Sequence, residues 1–244
     1  MAKNDNSRKS DLEVRPPMNS NGRSMIKPLS VLAILAIVAL STAFLLTHRG
    51  EQAASAQENP AVTTGSKPVI TSEGWFRGDP SAKTILVEFG DYQCPSCALA
   101  RLKVAEVLKK HDKGLKVVFK QYPMQNAHRN AMLAANAAEA AGRQAKFWDM
   151  SELLFSRQAD WSNVPDPMTF FTKYAAELQL NPDQFRSDVS DNEIRNKIYR
   201  DMLEGQLASV HSVPTFFLNG SMLEKIKSEA EFQELIDKAV QSAK

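Results

Sequence analysis

Val87-Glu-Phe-Gly-Asp-Tyr-Gln-Cys-Pro-Ser-Cys97 contains both cysteines of this 244-residue chain, two residues apart. The stretch begins inside Thr84-Ile-Leu-Val-Glu-Phe89, a run rich in β-branched and apolar residues that predicts a strand. It ends where Pro95–His111 predicts a helix, because Ala100, Val104, Val107 and Leu108 recur at i, i+4, i+7 and i+8. A second β-rich run, Leu115-Lys-Val-Val-Phe-Lys-Gln-Tyr122, follows directly. Together they make a β-α-β unit of about 39 residues, long enough for a parallel crossover.

Beyond that unit, residues from about 126 to 210 read as wholly helical. Ala131 to Ala141 is alanine-rich, and Phe147, Met150 and Leu154 recur at helical spacing. Pro165-Asp166-Pro167 and Asn181-Pro182-Asp183 are breaks, the second an N-cap followed by proline at the first helical position. Ile194, Ile198 and Leu203 belong to a further helix starting near Asp191. Strand character returns at Thr215-Phe-Phe-Leu218. Asn219-Gly220, a dipeptide suited to a type I′ hairpin, then leads into a short return strand at Ser221-Met-Leu. Ser228 and Glu231 form a capping box for a last helix whose Phe232, Leu235, Ile236, Ala239 and Val240 line one face. No repeat period is present. The order strand-helix-strand, helical block, hairpin, helix is that of an α/β core carrying an all-helical insertion.

Apolar residues make up 43% of the chain and charged residues 24%, which excludes collagen-like and wholly disordered classes. Two cysteines cannot staple a small multi-bridge scaffold. The net charge of +2 divides unevenly: residues 1–50 carry seven Lys/Arg against three Asp/Glu, leaving 23 against 25 beyond them. The folded part therefore has no basic nucleic-acid footprint. Residues 1–28 read as a basic cytoplasmic tail. Leu29 to Thr47, 19 residues without a charge, is long enough to span a bilayer as a helix, an uncleaved signal anchor. Residues 48–74 read as a flexible linker and 75–244 as the folded domain, exported to the periplasm or cell surface. Ala54-Ser55-Ala56 resembles a cleavage site, and cleavage after Ala56 would instead release a periplasmic or secreted protein.

The spacing of Cys94 and Cys97 at a helix start carries the chemistry. A helix N-terminus presents unsatisfied N–H groups and partial positive charge, which favour a thiolate. Pro95 suits the first turn, and the two-residue spacing lets the sulfurs close and open a small ring by thiol–disulfide exchange. Cys97 lies on the Ala100/Val104/Leu108 stripe and is expected to be partly buried, whereas Cys94 is expected at an exposed tip. Cys94 is then the attacking thiolate and Cys97 the resolving thiol. Half a zinc site, a structural disulfide and inert thiols are the competing readings. Zinc lacks a second ligand pair among His48, His111, His128 and His211, and so small a ring adds little stability.

The chain resembles the DsbA-like thiol:disulfide oxidoreductases of the thioredoxin superfamily, particularly their membrane-tethered bacterial branch. The similarity runs from about Arg77 to the C-terminus. It rests on Gly78-Asp-Pro-Ser-Ala82, the stretch Val87–Cys97, the alanine-rich helix into Lys146-Phe-Trp148, and Val213-Pro-Thr-Phe-Phe-Leu-Asn-Gly220. The resemblance implies a thioredoxin-like fold with the helical insertion, and a cis Pro214 facing the cysteines. Val213 would pair with substrate backbone beside Pro95 and Ser96. It also implies that Glu88 lies buried beneath the site and passes protons to the resolving thiol; an edge or solvent-facing position is the alternative from the residues alone. Lys120 on the next strand is expected either near Glu88 or in solvent, and His211, three residues before Pro214, in a surface loop, with an approach to the cysteines as the alternative. Trp75, Trp148 and Trp161 are expected in the core or groove.

The expected activity is disulfide formation in exported proteins, with no cofactor beyond the Cys94–Cys97 disulfide, no metal and no nucleic-acid partner. Its partners would be exported polypeptides with cysteines and a membrane redox protein that reoxidises the pair, and the chain would be a monomer. Reductase chemistry and a peptide-binding or chaperone module with a structural disulfide are the alternatives. The sequence departs from the strongly oxidising members in having Pro-Ser, not Pro-His, between the cysteines, so a milder oxidant is expected.

Overall fold

The computed structural model describes residues 70–224, 226 and 228–243. The tail, the anchor and linker residues 48–69 lie outside the described residues. Among the described residues no helix is long and apolar enough to cross a membrane.

Five strands form one sheet: β1 (Trp75–Gly78), β2 (Thr84–Gly90), β3 (Leu115–Gln121), β4 (Thr215–Leu218) and β5 (Ser221–Met222), in the order β1-β3-β2-β4-β5. β2 and β3 pair in parallel through helix α1 (Pro95–Lys110), and the remaining pairs are antiparallel. β2 is thus central, with partners on both sides. The hairpin between β4 and β5 forms as its dipeptide dictates, Asn219 at φ 50° and Gly220 at φ 79°. β1 has no counterpart in the sequence reading. Four residues are too few to show a period, and the strand exists by pairing antiparallel to β3.

Between β3 and β4 lie α2 (Ala131–Gly142), α3 (Phe147–Ser156), α4 (Gln158–Trp161), α5 (Met168–Glu177), α6 (Pro182–Val189) and α7 (Asn192–Leu207); α8 (Glu229–Ser242) closes the chain. The caps fall where the sequence puts them. Asn181 accepts from the amides of Asp183 and Gln184, Asp191 from those of Glu193 and Ile194, and Ser228 from that of Glu231. Small side chains let α2 sink into the centre of the insertion: all but two of its residues are buried, and Phe147, Met150 and Leu154 of α3 are 0–2% exposed.

Residues 70–74 differ from the flexible reading of the linker. The Thr71 amide and hydroxyl donate to Glu204 of α7, and the Lys120 ammonium donates to the same hydroxyl at 2.9 Å. Two hydrogen-bonded charges outweigh the turn-like composition that suggested a free tether.

Candidate active site

Cys94 is the N-cap of α1, with extended backbone (φ −76°, ψ 121°), and Pro95 fills the first helical position. No cap side chain and no acidic residue occupies the first turn, so no other side chain competes with the sulfur for its amides. The Cys97 thiol donates a hydrogen bond to Cys94, and the amides of Cys97 and Ser96 add to it. Against burial and the nearby Asp91 carboxylate, these bonds bring the Cys94 thiol down from 9.0 to about 6. The same Cys97–Cys94 bond pushes Cys97 strongly upward, with burial and the Glu88 charge acting in the same direction. Both thiols are unbridged here. One sulfur is ready to ionise near neutral pH and the other holds its proton.

Cys97 is fully buried, beyond the partial burial expected, and Cys94 is only 7% exposed and does not stand at an open tip. Its Sγ lies 3.6 Å from the Val213 carbonyl, to which the thiol donates. The Val213–Pro214 peptide bond is cis. The Thr215 hydroxyl closes this loop by donating to Ser212 O at 2.7 Å. Val213 and Pro214 are half-buried, while Pro95 and Ser96 are exposed. The structure therefore gathers Cys94, Cys97, Pro95, Ser96, Val213 and Pro214 into one place. A surface groove of about 730 Å³ runs from it, lined among others by Leu99, Phe216, Met222 and Leu223.

Glu88 is 4% exposed on the central strand, which excludes the edge and solvent-facing readings. Burial alone raises its carboxyl from 4.5 to about 8, and among the described residues it has no hydrogen-bonded partner. A cavity of about 40 Å³ under α1 joins Glu88 to Arg101 and Glu152, which pair with each other nearer the surface. Lys120 meets neither expectation. In the β2–β3 register Glu88 lies opposite Phe119 and Phe89 opposite Lys120, so the two charges occupy opposite faces of the sheet. Lys120 is buried and paired with Glu204 at 2.9 Å and Asp201 at 3.8 Å.

The family model described as Thioredoxin matches residues 71–238. The chain belongs to the thioredoxin family. Its sequence relatives include the Na(+)/H(+) antiporter NhaA 1 of Mycobacterium sp. (strain KMS), 34% identical over 165 residues that make up 66% of this chain and 26% of the antiporter. The antiporter NhaA 1 of Salinispora arenicola is 35% identical over 153 residues, 63% of this chain and 22% of that one. The chain thus spans about a quarter of the length of the curated relatives it matches. Among solved structures, BdbD from Bacillus subtilis superposes with a TM-score of 0.61 at 23% identity, covering 71% of this chain and 98% of that one. Wolbachia pipientis α-DsbA1 gives a TM-score of 0.61 at 21% identity, covering 72% and 94%. The fold is that of DsbA-like proteins.

The residues before the thioredoxin-family cysteine pair, which the sequence reading passed over, are tied one by one to the helical insertion and its entry loop. The Asp91 carboxylate accepts from the Gln93 amide, the Met124 amide and His128 Nδ1, at 2.7–2.8 Å. Gln158 of α4 donates to Tyr92 O at 2.7 Å; the Gln93 side chain donates to Ser162 O and accepts from the Asn130 amide. Asp91, three residues before Cys94 inside the quoted stretch, was the available signal; its partners are remote in sequence. His211 is exposed. Trp161 is fully buried, and Trp75 stacks on Phe147 with ring centroids 4.5 Å apart. Among the described residues no group of three or more His, Cys, Asp or Glu side chains is arranged to hold a metal.

Proposed function

We propose that this chain is a protein thiol:disulfide oxidoreductase that forms disulfides in exported polypeptides. The observation that carries the reading is the asymmetry of the two sulfurs, Cys94 held near 6 at the helix start and Cys97 buried with its thiol pushed up. In the oxidising direction a substrate thiolate attacks Cys94 Sγ of the Cys94–Cys97 disulfide. The Cys94–Cys97 bond breaks, a substrate–Cys94 disulfide forms, and Cys97 leaves as a thiolate. Such a thiolate is unfavourable in its buried site, and the Glu88 carboxyl, still protonated near neutral pH, is placed to give it a proton. A second substrate thiolate then attacks the substrate sulfur. Cys94 leaves as the stabilised thiolate, so the substrate has lost two electrons and the pair has gained them. A membrane redox partner that accepts two electrons would restore the disulfide.

The groove beside Pro214 suits an extended apolar segment, with Leu99 65% exposed and Met222 half-buried along it. Val213 would meet substrate backbone at the point where its carbonyl now accepts from Cys94. The hydropathy of residues 29–47 supports a membrane-tethered, extracytoplasmic placement. The DsbA proteins among the structural neighbours support the reaction class. Antiport is not proposed for this chain.

The test is the equilibrium of the Cys94–Cys97 pair with glutathione buffers, together with oxidation of a reduced, cysteine-containing client by wild type and Cys94→Ser. An oxidase gives a potential of roughly −120 to −200 mV and loses client oxidation in Cys94→Ser. A potential near −270 mV or below assigns the reductase direction instead. Full client activity in Cys94→Ser refutes thiol chemistry altogether.

A further inference from the structure

Asp91 poses an electrostatic problem. It is a buried carboxylate, its side chain wholly inaccessible, three residues before a cysteine that must ionise, and its charge opposes that ionisation. Its backbone oxygen also accepts from the Cys94 amide at 3.1 Å, so it belongs to the turn that presents the nucleophile. Two backbone amides satisfy the carboxylate in part. The remaining partner is His128 Nδ1 at 2.8 Å, from the loop between β3 and α2. An ionised carboxylate has no hydrogen to give, so Nδ1 is the donor in this bond. The imidazole is 22% exposed. Among the described residues Asp91 is its single ion-pair partner; Arg129, next in the chain, is exposed.

We propose that the Asp91–His128 pair sets the redox poise of the Cys94–Cys97 couple, His128 acting as a positioning residue that holds Asp91 and offsets its charge. The inference rests on the thiol–disulfide reading of the site. The imidazole N–H bonded to Asp91 draws the carboxylate's charge away from the Cys94 sulfur. With His128 removed, more of the carboxylate charge acts on the sulfur. A destabilised thiolate means a less stable reduced form, and therefore a weaker oxidant. Because the imidazole comes from the entrance to the helical insertion and the carboxylate from the cysteine loop, packing of the insertion against the core is coupled to the chemistry.

The experiment uses the full-length chain and compares wild type, His128→Gln, Asp91→Asn and the double variant. Cys94 ionisation is followed by the ultraviolet absorbance of the thiolate against pH, and the redox equilibrium constant is measured against glutathione. His128→Gln should shift the equilibrium roughly fivefold toward the disulfide and move Cys94 ionisation to higher pH. Asp91→Asn should shift both the opposite way, and the double variant should match Asp91→Asn, since the histidine acts through the carboxylate. An effect of His128→Gln that persists without Asp91, or variants that change thermal stability and leave both readouts in place, overturns the proposal. Wild type supplies an arm that folding defects cannot spoil. By reciprocity, the His128 Nδ1–H bond to Asp91, read by its NMR chemical shift, must differ between the dithiol and disulfide forms, and an identical shift in both overturns the proposal. If wild type itself fails to equilibrate with glutathione, it is the thiol–disulfide reading that has failed; if wild type equilibrates and the variants do not shift it, only the present proposal has.

Discussion

Replacing Glu88 by Gln should make the disulfide form of the protein more stable at neutral pH while impairing its chemistry. The carboxyl is 4% exposed, and burial alone moves its titration from 4.5 to about 8. Across that interval the folded state keeps a proton that the unfolded chain has released. The folded state therefore binds more protons, and stability falls as pH rises. Each pH unit of delay is worth about 1.4 kcal/mol. The contribution is fully present below about pH 4.5; about 3 kcal/mol of it is gone at pH 7, and about 5 kcal/mol above pH 8. Gln is a near-isostere that does not titrate, so it removes the slope.

The disulfide form is the one to measure, because in the dithiol form Cys94 works against the effect. Its thiol is lowered from 9.0 to about 6, so the folded state releases that proton first and stability rises with pH between those values. From about pH 6 to 8 the two slopes oppose each other. Denaturant unfolding of disulfide-form wild type and Glu88→Gln at pH 5, 7 and 8.5 should give a falling series for wild type and a level one for the variant. In the same variant, exchange should slow and lose the part of its pH dependence that titrates near 8. A level wild-type series would refute the reasoning, since it would mean that water in the cavity toward Arg101 and Glu152 lets Glu88 ionise as it does in an open chain. A falling series in the variant would place the titrating group elsewhere.

Alkylation of the reduced protein should be confined to Cys94 and rise with pH to a plateau with its midpoint near 6; a midpoint near 9 would show that the Cys97 and backbone hydrogen bonds do not form. Glu139, 3% exposed, accepts from Trp75 Nε1, Gln121 Nε2 and Lys197 Nζ at 2.8–3.1 Å. Glu139→Ala should cost about 3 kcal/mol by denaturant unfolding, because it takes from the partly buried Lys197 ammonium one of its two carboxylates, leaving Asp201 at 3.2 Å, and strips two other donors of their acceptor; a loss below about 1 kcal/mol would mean that water takes over the carboxylate's place.

The parts of this molecule that were legible in the sequence are those that local chemistry decides. Helix caps at Asn181, Asp191 and Ser228, the Asn219-Gly220 turn and the order of the two cysteines each depend on residues within a few positions of one another, and the parallel crossover on two β-rich runs flanking one periodic helix. The acidity of Cys94 belongs with them in part, since an uncapped first turn without acidic side chains is written in Cys94-Pro-Ser-Cys97 itself. β1 was illegible because its four residues become a strand only against β3. Lys120 was misplaced because strand parity can be read but register cannot. A pairing of Glu88 with Phe119 puts Lys120 on the far face, whereas a slip of one residue would have put it beside Glu88.

The remaining features share a cause. Cys94 is covered by the Val213 carbonyl from 119 residues away, and Asp91 is held by an imidazole 37 residues away in the loop that opens the insertion. The local sequence makes the thiol ionisable, and the long-range contacts decide how far. An insertion of helices between β3 and β4 would leave the sheet and the Cys94–Cys97 turn intact if it merely shielded them. Here it and its entry loop also bond to Asp91, Tyr92 and Gln93 in succession. Any change in how it packs must therefore reach the nucleophile through three consecutive residues of backbone.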